Sequence, residues 1–294
     1  MDPEVSIIIP VFQDQAGLER CLMAISRQSG VLVDGLEVIV VDNGSEPPLT
    51  LPKELPYTAN LLACAKKGAY AARNAGVGAA NAKVLAFLDA DCWPDKYWIQ
   101  AGLKALSKSG RNSIFGGEVL FEQSPRPTVV ESYQLLMGFG QNHAIKKLGF
   151  SATANIFVTR EVFEKVGPFD ENLLSGGDRE WSWRARSLGV SLDFSEDAIV
   201  WTEPRKTLRG ALIQARRVSG GRMGLEKNAE IVQAIGVDKI QPKKGVLEKS
   251  KVILFAQGMP LIRRFMIFGV AILIRAVHDL ERIRIRLGGE FERR

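Results

Sequence analysis

The chain has 294 residues, 46% hydrophobic and 24% charged, with a formal net charge of +6 and a pI near 9.2. This is ample for a sizeable core, in one large domain or one domain plus an appendage. Two histidines, His143 and His278, exclude a multi-histidine zinc site, and three cysteines without paired spacing (Cys21, Cys64, Cys92) exclude a disulfide framework or a CxxC metal site. With an N-terminal apolar run too short for a signal peptide, we expect a reducing, cytoplasmic location.

Strands and helices alternate over the first hundred residues. Buried strands are predicted in VSIIIPVF, ending at Pro10, and in LEVIVVDNGS and KVLAFLDAD, because each is a continuous apolar run. Helices are predicted between them, in DQAGLERCLMAISRQ with Asp14 as N-cap and in the alanine-rich GAYAARNAGVGAANA. Apolar strands alternating with helices indicate an α/β fold whose parallel sheet is covered on both faces.

The second hundred residues continue the mixed pattern. A helix is predicted in PDKYWIQAGLKALSKSG, with Pro94 near its start, and a strand in SIFGGEVLFE. A strand at 154–159, a short helix, a glycine-rich loop opening a helix in SGGDREWSWRARSLG, and a last strand in VSLDFSEDAIVWTEP follow. From about Thr207 onward the pattern is helical and basic.

Carboxylates stand where two of the predicted strands end. Asp42 closes one strand, and Asp89 and Asp91 follow another with Ala90 between them. Ligands of such sheets bind at the carboxyl ends of the strands, so we expect these acids to line one crevice. The Asp89–Asp91 pair offers hard oxygen donors that suit Mg²⁺ or Mn²⁺ bound jointly with substrate phosphates. A solvated turn or a helix cap is the alternative.

Several side chains have a functional interpretation beside a structural one. Asp42 accepts hydrogen bonds from a base or sugar hydroxyl, or makes an Asx-turn with Gly44. The planar fork of Arg73 suits a phosphate or a base, or lies on a solvated helix face. Asp178 is a general base or simply an N-cap. Trp181 and Trp183 are core residues, or one of them is the aromatic floor of a sugar site.

Together, six stretches in this order resemble the family 2 glycosyltransferases, inverting enzymes that use nucleotide-diphosphate sugars. The stretches are VSIIIPVF, VIVVDNGS, GAYAARNAG, VLAFLDAD, ANIFVTREVFEKVGPFDE and SGGDREWSWRARSLG. The resemblance covers about residues 4–220. It implies the glycosyltransferase-A fold, a mostly parallel mixed sheet flanked by helices, with a nucleotide-binding half (about 1–110) and an acceptor-binding half (about 111–225). A helical, basic C-terminal region at 226–294 follows.

The resemblance also implies roles for particular residues. The nucleotide-binding residues would be Pro10, Val11, Phe12, Asp42, Asn43, Arg73, Asp89, Ala90 and Asp91. Asp91 would hold a divalent metal, Mn²⁺ or Mg²⁺, with Asp89 beside it toward the ribose or sugar. Asp178 falls where relatives carry the catalytic base of a Glu-Asp pair, whose first member here is Gly177. Arg217 is the implied diphosphate contact, and Gly177 and Trp181 are candidate acceptor-site residues.

Two departures qualify the resemblance. Many relatives place a metal-binding histidine after the last strand, where this chain has Thr202 and Glu203, and it stays open whether Glu203 replaces it. Processive relatives carry Gln-x-x-Arg-Trp, where this chain has Val218 in place of tryptophan. We therefore expect an enzyme that adds single sugars. The alternative is a non-catalytic nucleotide-sugar-binding or membrane-scaffold protein with the same fold.

The C-terminal region carries an apolar stretch, FMIFGVAILI, bracketed by arginines. It is shorter than the roughly 20 residues that a membrane span needs. It fits a helix lying in the membrane interface, or one packed on the catalytic domain. We expect peripheral membrane contact at the inner face of the plasma membrane, and a lipid-linked or cell-surface glycan as acceptor. The basic tail lacks interleaved aromatic residues, so we expect no nucleic-acid partner.

Overall fold

The computed structural model describes residues 3–108, 110, 112–173, 175–227 and 246–289. The chain forms two compact units. The first comprises residues 1–119, 141–173 and 177–202, and the second comprises 120–140, 174–176 and 203–294. The second unit thus includes 203–225, which we had assigned to the catalytic domain. Within the predicted C-terminal region, 228–245 and 290–294 lie outside the described residues.

Eight strands form one mixed sheet, in the order β3-β2-β1-β4-β7-β6-β8-β5. They are β1 (Val5–Val11), β2 (Leu36–Asp42), β3 (Thr58–Ala63), β4 (Val84–Leu88), β5 (Cys92–Pro94), β6 (Ser113–Phe121), β7 (Asn155–Thr159) and β8 (Ser191–Thr202). The four strands β3, β2, β1 and β4 are parallel, whereas β7 runs antiparallel to β4 and to β6, and β5 antiparallel to β8. The predicted α/β class and the mixed sheet are confirmed.

Helices cover both faces of this sheet. The α-helices of the first unit are α1 (Gln15–Ile25), α2 (Ala69–Ala79), α3 (Trp98–Lys108), α5 (Gln141–His143), α6 (Arg160–Val166) and α7 (Gly177–Ser187). A 3₁₀ turn (Val33–Gly35) and a π-helix (Ala144–Leu148) also belong to it. Along β1, Ile7 and Ile9 pack in the core beneath α1 and α3, while Ile8 packs in the core beneath α2, α6 and α7. Burial on both faces explains why this strand is apolar throughout.

Three local predictions were wrong or incomplete. β1 continues through Pro10, which lies beyond the last residue that pairs with β4, so its missing N–H costs no bond in that ladder. α3 begins at Trp98 and not near Pro94, because residues 92–94 pair with β8 instead. β3 was missed because it lies at the sheet edge, where its side chains stay largely exposed and the sequence shows no continuous apolar run.

The second unit is helical. The helices that the structure describes in this unit are α4 (Val129–Met137), α8 (Leu208–Lys227), α9 (Val246–Leu254) and α10 (Leu261–Arg286). Thr128 and Glu131 form a capping box that starts α4. The four helices share a hydrophobic core, which contains Val130, Tyr133, Ala211, Ala215, Ile253, Ile267, Val270 and Ile274. Of the helices that the structure describes, none combines the length and apolar character needed to cross a bilayer.

Candidate active site

The predicted acids stand at one edge of the sheet. Asp42 is the last residue of β2 and lies opposite Val11, the last residue of β1. Asp89 directly follows β4, which pairs with the other side of β1 in the same direction. The carboxyl ends of three adjacent parallel strands therefore bring these positions to the same edge, where ligands of α/β sheets bind.

Asp42 organises the loop that follows β2. Its Oδ1 accepts a hydrogen bond from the Ser45 N–H at 2.9 Å and its Oδ2 one from the Leu49 N–H at 3.2 Å. Burial raises the pKa of Asp42, but the hydrogen bonds from Ser45, Leu49 and Gly44 together outweigh it and hold the pKa below its ordinary value. The structural alternative, a turn held by this carboxylate, is therefore present. Contact with a base stays a prediction.

Asn43 holds a second loop, the one that joins β3 to α2. Its Oδ1 accepts from the Gly68 N–H at 2.6 Å, and its Nδ2 donates to the Lys66 carbonyl at 2.8 Å. Both ends of this amide are therefore engaged within the protein. Asn43 fixes the entry to α2, the helix that carries Arg73.

Arg73 and Asp89 form an ion pair, with 2.5 Å between Nη2 and Oδ1. The Arg73 side chain is almost fully buried, and its Nε has no hydrogen-bond partner within the part of the chain that the structure describes. Asp89 is about one third exposed and engages Arg73 through one of its two oxygens. A buried guanidinium donor without a partner usually marks the place of a ligand or an ordered water.

Asp91 is exposed, two residues beyond Asp89. Its carbonyl accepts a hydrogen bond from Thr202 Oγ1 at 3.0 Å, so β8 fixes the backbone at this point. Burial raises the pKa of both Cys21 and Cys92, and the charges of Asp91 and Asp89 raise it further. Both carboxylates thus act on the same two buried thiols, which stay protonated.

Asp178 is half-buried in the first turn of α7. The helix begins at Gly177, so the N-cap alternative for Asp178 was wrong by two positions. Burial raises the pKa of Asp178; the charge and N–H of Arg179 and the charge of Arg73 oppose this rise, and the charge of Asp89 adds to it. These influences put Asp178 within electrostatic reach of the Arg73–Asp89 pair.

The Trp181 ring is fully buried and packs against Phe163 and Phe169, with ring centroids 5.6 and 5.0 Å away. Its indole N–H donates to the Gly167 carbonyl at 2.8 Å. Trp181 does not form the floor of an acceptor site, because neither face of its ring is accessible to a sugar. It is a core residue, which was the structural alternative. Glu180, nearby, is held by Arg184 at 2.7 Å.

The remaining predicted residues differ in exposure. Pro10, Val11 and Ala90 are buried, whereas Phe12 is 42% exposed. Arg217 and Glu203 belong to the second unit, where Glu203 pairs with Lys206 at 2.7 Å. Their roles toward a diphosphate and a metal stay predictions.

Tyr70 was missed in the sequence. It lies in the first turn of α2, is buried, and places its ring directly over Gly177. The available signal was its spacing: Tyr70 and Arg73 are three residues apart and therefore share one helix face.

The donor set fits a metal that is shared with a ligand. Within the described residues, no group of three or more histidine, cysteine or acidic side chains is placed to hold a metal ion. Mg²⁺ and Mn²⁺ that bind with phosphates usually take only one or two carboxylates from the protein. The exposed Asp91, with the second oxygen of Asp89 beside it, offers such a set.

Comparisons with known proteins identify the family of this chain. The model of the family described as Glycosyl transferase family 2 matches residues 6–167, and the chain belongs to this family. Glycosyltransferase AglE of Haloferax volcanii is 34% identical over 226 residues, which cover 75% of this chain and 73% of that protein. A pre-mycofactocin glycosyltransferase of Mycobacterium tuberculosis is 27% identical over 214 residues, 70% of this chain but only 44% of that protein.

Solved structures show the same fold. The mannosyltransferase PcManGT from Pyrobaculum calidifontis, in complex with GDP-Man and Mn²⁺, superposes with a TM-score of 0.61 at 15% identity, over 99% of this chain and 89% of that one. S. aureus TarS 1–349 in complex with UDP superposes with a TM-score of 0.50 at 13% identity, over 98% and 93%. The fold is thus of the glycosyltransferase-A type, and the chain is a glycosyltransferase and not the non-catalytic protein considered beside it.

Proposed function

We propose that this glycosyltransferase moves a single sugar from a nucleotide-diphosphate sugar to an acceptor hydroxyl with inversion, and that Asp178 is its general base. One observation carries the proposal. A half-buried carboxylate with a raised pKa stands in the first turn of α7, where Gly177 contacts Tyr70, and Tyr70 lies one turn from Arg73 of the Arg73–Asp89 pair. Carboxyl groups tuned in this way by burial are typical of general bases.

The proposed step is a single displacement. The acceptor oxygen bonds to the anomeric carbon while the bond from that carbon to the diphosphate breaks on the opposite face. Asp178 takes the proton of the acceptor hydroxyl, and the nucleoside diphosphate leaves with the electron pair. Arg73, through its unpartnered Nε, contacts the nucleotide, and Arg217 is proposed as a further contact to the diphosphate. Asp91 and Asp89 would hold a divalent cation, Mn²⁺ or Mg²⁺, which would supply positive charge to stabilise the leaving diphosphate.

The test is release of nucleoside diphosphate from a panel of donors, including GDP-mannose and UDP-sugars, with Mn²⁺ and then Mg²⁺. The two solved structures described above are complexes with GDP-Man and UDP, which sets the first two donors. We expect the wild type to turn over donors of one nucleotide class. NMR of the product should show that the anomeric configuration of the transferred sugar is inverted relative to the donor. Retention of configuration would contradict the displacement described above.

We also propose that α10 lies on an anionic membrane surface at the inner face of the plasma membrane. One stripe along this 26-residue helix is exposed and apolar, at helical spacing. The stripe comprises Leu261, Ile262, Phe265, Met266, Ile272, Leu273, Leu280 and Ile283, and Leu287 continues it just after the helix. At 1.5 Å per residue the helix is about 39 Å long. An exposed apolar stripe of this length indicates an interaction surface.

Charge decides which partner fits the stripe. Arg264, Arg275, Arg282 and Arg286 follow one another at intervals of three, two and one helical turns, so they line one flank of the stripe. A basic flank beside an apolar stripe fits anionic headgroups above an acyl boundary. The opposite side of α10 packs into the core of the second unit. A lipid-linked or cell-surface glycan acceptor would match this location.

A further inference from the structure

We infer that Tyr70 is a positioning residue for Asp178: its ring, seated on Gly177, and its hydroxyl, at the start of α7, together set the first turn of α7 against α2. This inference rests on the proposed role of Asp178 as general base. It assigns a function to Tyr70 and a reason for the absence of a side chain at position 177.

The contact between Tyr70 and Gly177 leaves no room for a side chain. A Cβ at position 177 would lie 2.7 Å from both Cε2 and Cζ of the Tyr70 ring, and 2.9 Å from Cδ2. Real Cβ contacts are not that short, so either the ring or α7 would have to move. Gly177 adopts an ordinary helical conformation, so its lack of a side chain serves the close approach and not an unusual backbone angle.

The Tyr70 ring is itself held in place. Its centroid lies 5.9 Å from that of Phe169, and the guanidinium carbon of Arg73 lies 5.5 Å from the ring centroid. The ring is buried, with 8% of its residue surface exposed. A ring enclosed on these sides transmits a displacement instead of absorbing it, because protein interiors are close-packed.

The hydroxyl of Tyr70, attached to Cζ, lies at the start of α7. The N–H groups of Asp178 and Gly177 act on this hydroxyl, and so does the negative charge of the Asp178 carboxylate. Burial is the largest influence on the pKa of Tyr70 and raises it, so the phenol stays neutral. The first N–H groups of a helix lack partners inside the helix, so a neutral hydroxyl oxygen at this place is positioned to accept from them.

One helix therefore carries two contacts that define the site. Tyr70 sets the turn that bears Asp178, and Arg73, one turn later on α2, pairs with Asp89. The distance between the base and the nucleotide-binding edge is thus fixed through α2. A small displacement of a catalytic group is enough to slow a reaction strongly.

The first test is Tyr70→Phe, which keeps the ring and removes the hydroxyl. With the donor that the wild type turns over, we expect kcat to fall roughly tenfold or more, with the donor KM and the Tm unchanged. In an Asp178→Asn background the same substitution should have no further effect on kcat, because Tyr70 acts through Asp178. Unchanged kcat in Tyr70→Phe overturns the inference, and so does a parallel loss of Tm and donor affinity.

The second test changes size at the contact. Gly177→Ala should lower kcat roughly tenfold or more, whereas Gly78→Ala, also on a helix but with open space around its Cβ position, should leave it unchanged. In the double variant Gly177→Ala with Tyr70→Leu the obstructing ring is gone, so kcat should be no lower than in Tyr70→Leu alone. Multiplied losses in the double variant would contradict the contact as the cause.

The two proposals fail separately. If the wild type turns over no donor, the proposed function fails. If it turns over a donor and Tyr70→Phe matches it, the proposed function stands and the role of Tyr70 is wrong.

Discussion

Arg73 and Asp89 form an ion pair with 2.5 Å between Nη2 and Oδ1. The pair joins helix α2 to the loop after β4, at the edge of the sheet where ligands of α/β sheets bind. The pair consists of a buried guanidinium and a partly exposed acid. Only one oxygen of Asp89 and one nitrogen of Arg73 are used in it. The Arg73 Nε has no partner within the part of the chain that the structure describes, and its proposed contact with a nucleotide is the basis of the first prediction.

Replacing Arg73 with lysine should weaken nucleotide binding by about tenfold or more. An ammonium group cannot serve Asp89 and a ligand at the same time with the planar fork of arginine. Isothermal titration of GDP or UDP in the presence of Mn²⁺ measures the effect. The exposed Arg27→Lys is the matched control and should bind as the wild type does. Equal affinity in Arg73→Lys would remove Arg73 from the nucleotide site.

Asp178→Asn should lower kcat by two to four orders of magnitude, the usual contribution of a general base, and leave nucleotide affinity unchanged. Asp197→Asn, on an exposed position of β8, is the control. Initial rates of diphosphate release and a nucleotide titration on the same samples separate the two effects. Loss of nucleotide binding in Asp178→Asn would show that the residue binds the donor and is not the base.

The raised pKa of Asp178 also predicts the sign of a stability change. Folding favours the protonated form, so the stabilisation it gives is complete below the ordinary value of 3.8 and is lost as pH rises through the higher folded value. Asparagine never carries the charge. The Tm of Asp178→Asn should therefore exceed that of the wild type at pH 7, and the difference should shrink toward pH 4.

Asp42 gives the opposite sign and serves as the comparison. Its pKa is lowered in the fold, so its stabilisation is present above 3.8 and is lost as pH falls through the lower folded value. Asp42→Asn should therefore lower the Tm at pH 7, and the difference from the wild type should become smaller at acidic pH. If Asp178→Asn and Asp42→Asn shifted the Tm in the same direction at pH 7, the burial and hydrogen bonding described for the two aspartates would be contradicted.

Asp91→Asn should weaken the dependence of nucleotide binding on Mn²⁺. A neutral amide is a poorer ligand than a carboxylate for a hard cation, so we expect the metal concentration for half-maximal binding to rise about tenfold. Chelation of the wild type by EDTA should reproduce the loss. Titration of Mn²⁺ at fixed nucleotide measures it, and an unchanged midpoint would place the metal elsewhere.

A triple variant with three negative charges on the stripe of α10 should bind vesicles at least tenfold more weakly than the wild type. Its substitutions are Phe265→Glu, Ile272→Glu and Leu280→Glu. Co-sedimentation with phosphatidylserine–phosphatidylcholine vesicles is the measurement, and pure phosphatidylcholine should bind more weakly because of the arginine flank. Leu32→Glu, also an exposed apolar residue, is the control. Light scattering reports the oligomeric state of the same variant. If it shows that the substitutions dissociate a dimer while vesicle binding is unchanged, the stripe binds a second copy of the chain and not lipid.

Sequence patterns predicted the strand ends well. The apolar runs before Asp42 and Asp89 are buried on both sides, so their pattern reports a central strand without reference to anything distant. A parallel sheet then brings their carboxyl ends together by geometry alone. The edge strand β3 and the three-residue β5 carry no such signal, because an edge position tolerates polar residues and a short pairing is decided by its partner β8.

Roles of single side chains were less predictable. The resemblance assigns Asp42 and Asn43 to the nucleotide, which stays a prediction, whereas the structure shows that both hold loops. Trp181 was a candidate for the acceptor site, and it lies in the core. In each case the residue type permits both roles, and only its neighbours in space distinguish between them.

The sequence by itself determined the α/β class and the family, because apolar periodicity and the motifs in their chain order are local properties of the sequence. It also predicts that Asp42 and Asp89 stand at the carboxyl ends of their strands, and the structure confirms this. Only the tertiary structure decided that Tyr70 lies over Gly177 and that Arg73 pairs with Asp89. Such contacts join residues that are 107 and 16 positions apart (177 − 70 and 89 − 73). They depend on how helices pack over the sheet, which no local pattern encodes.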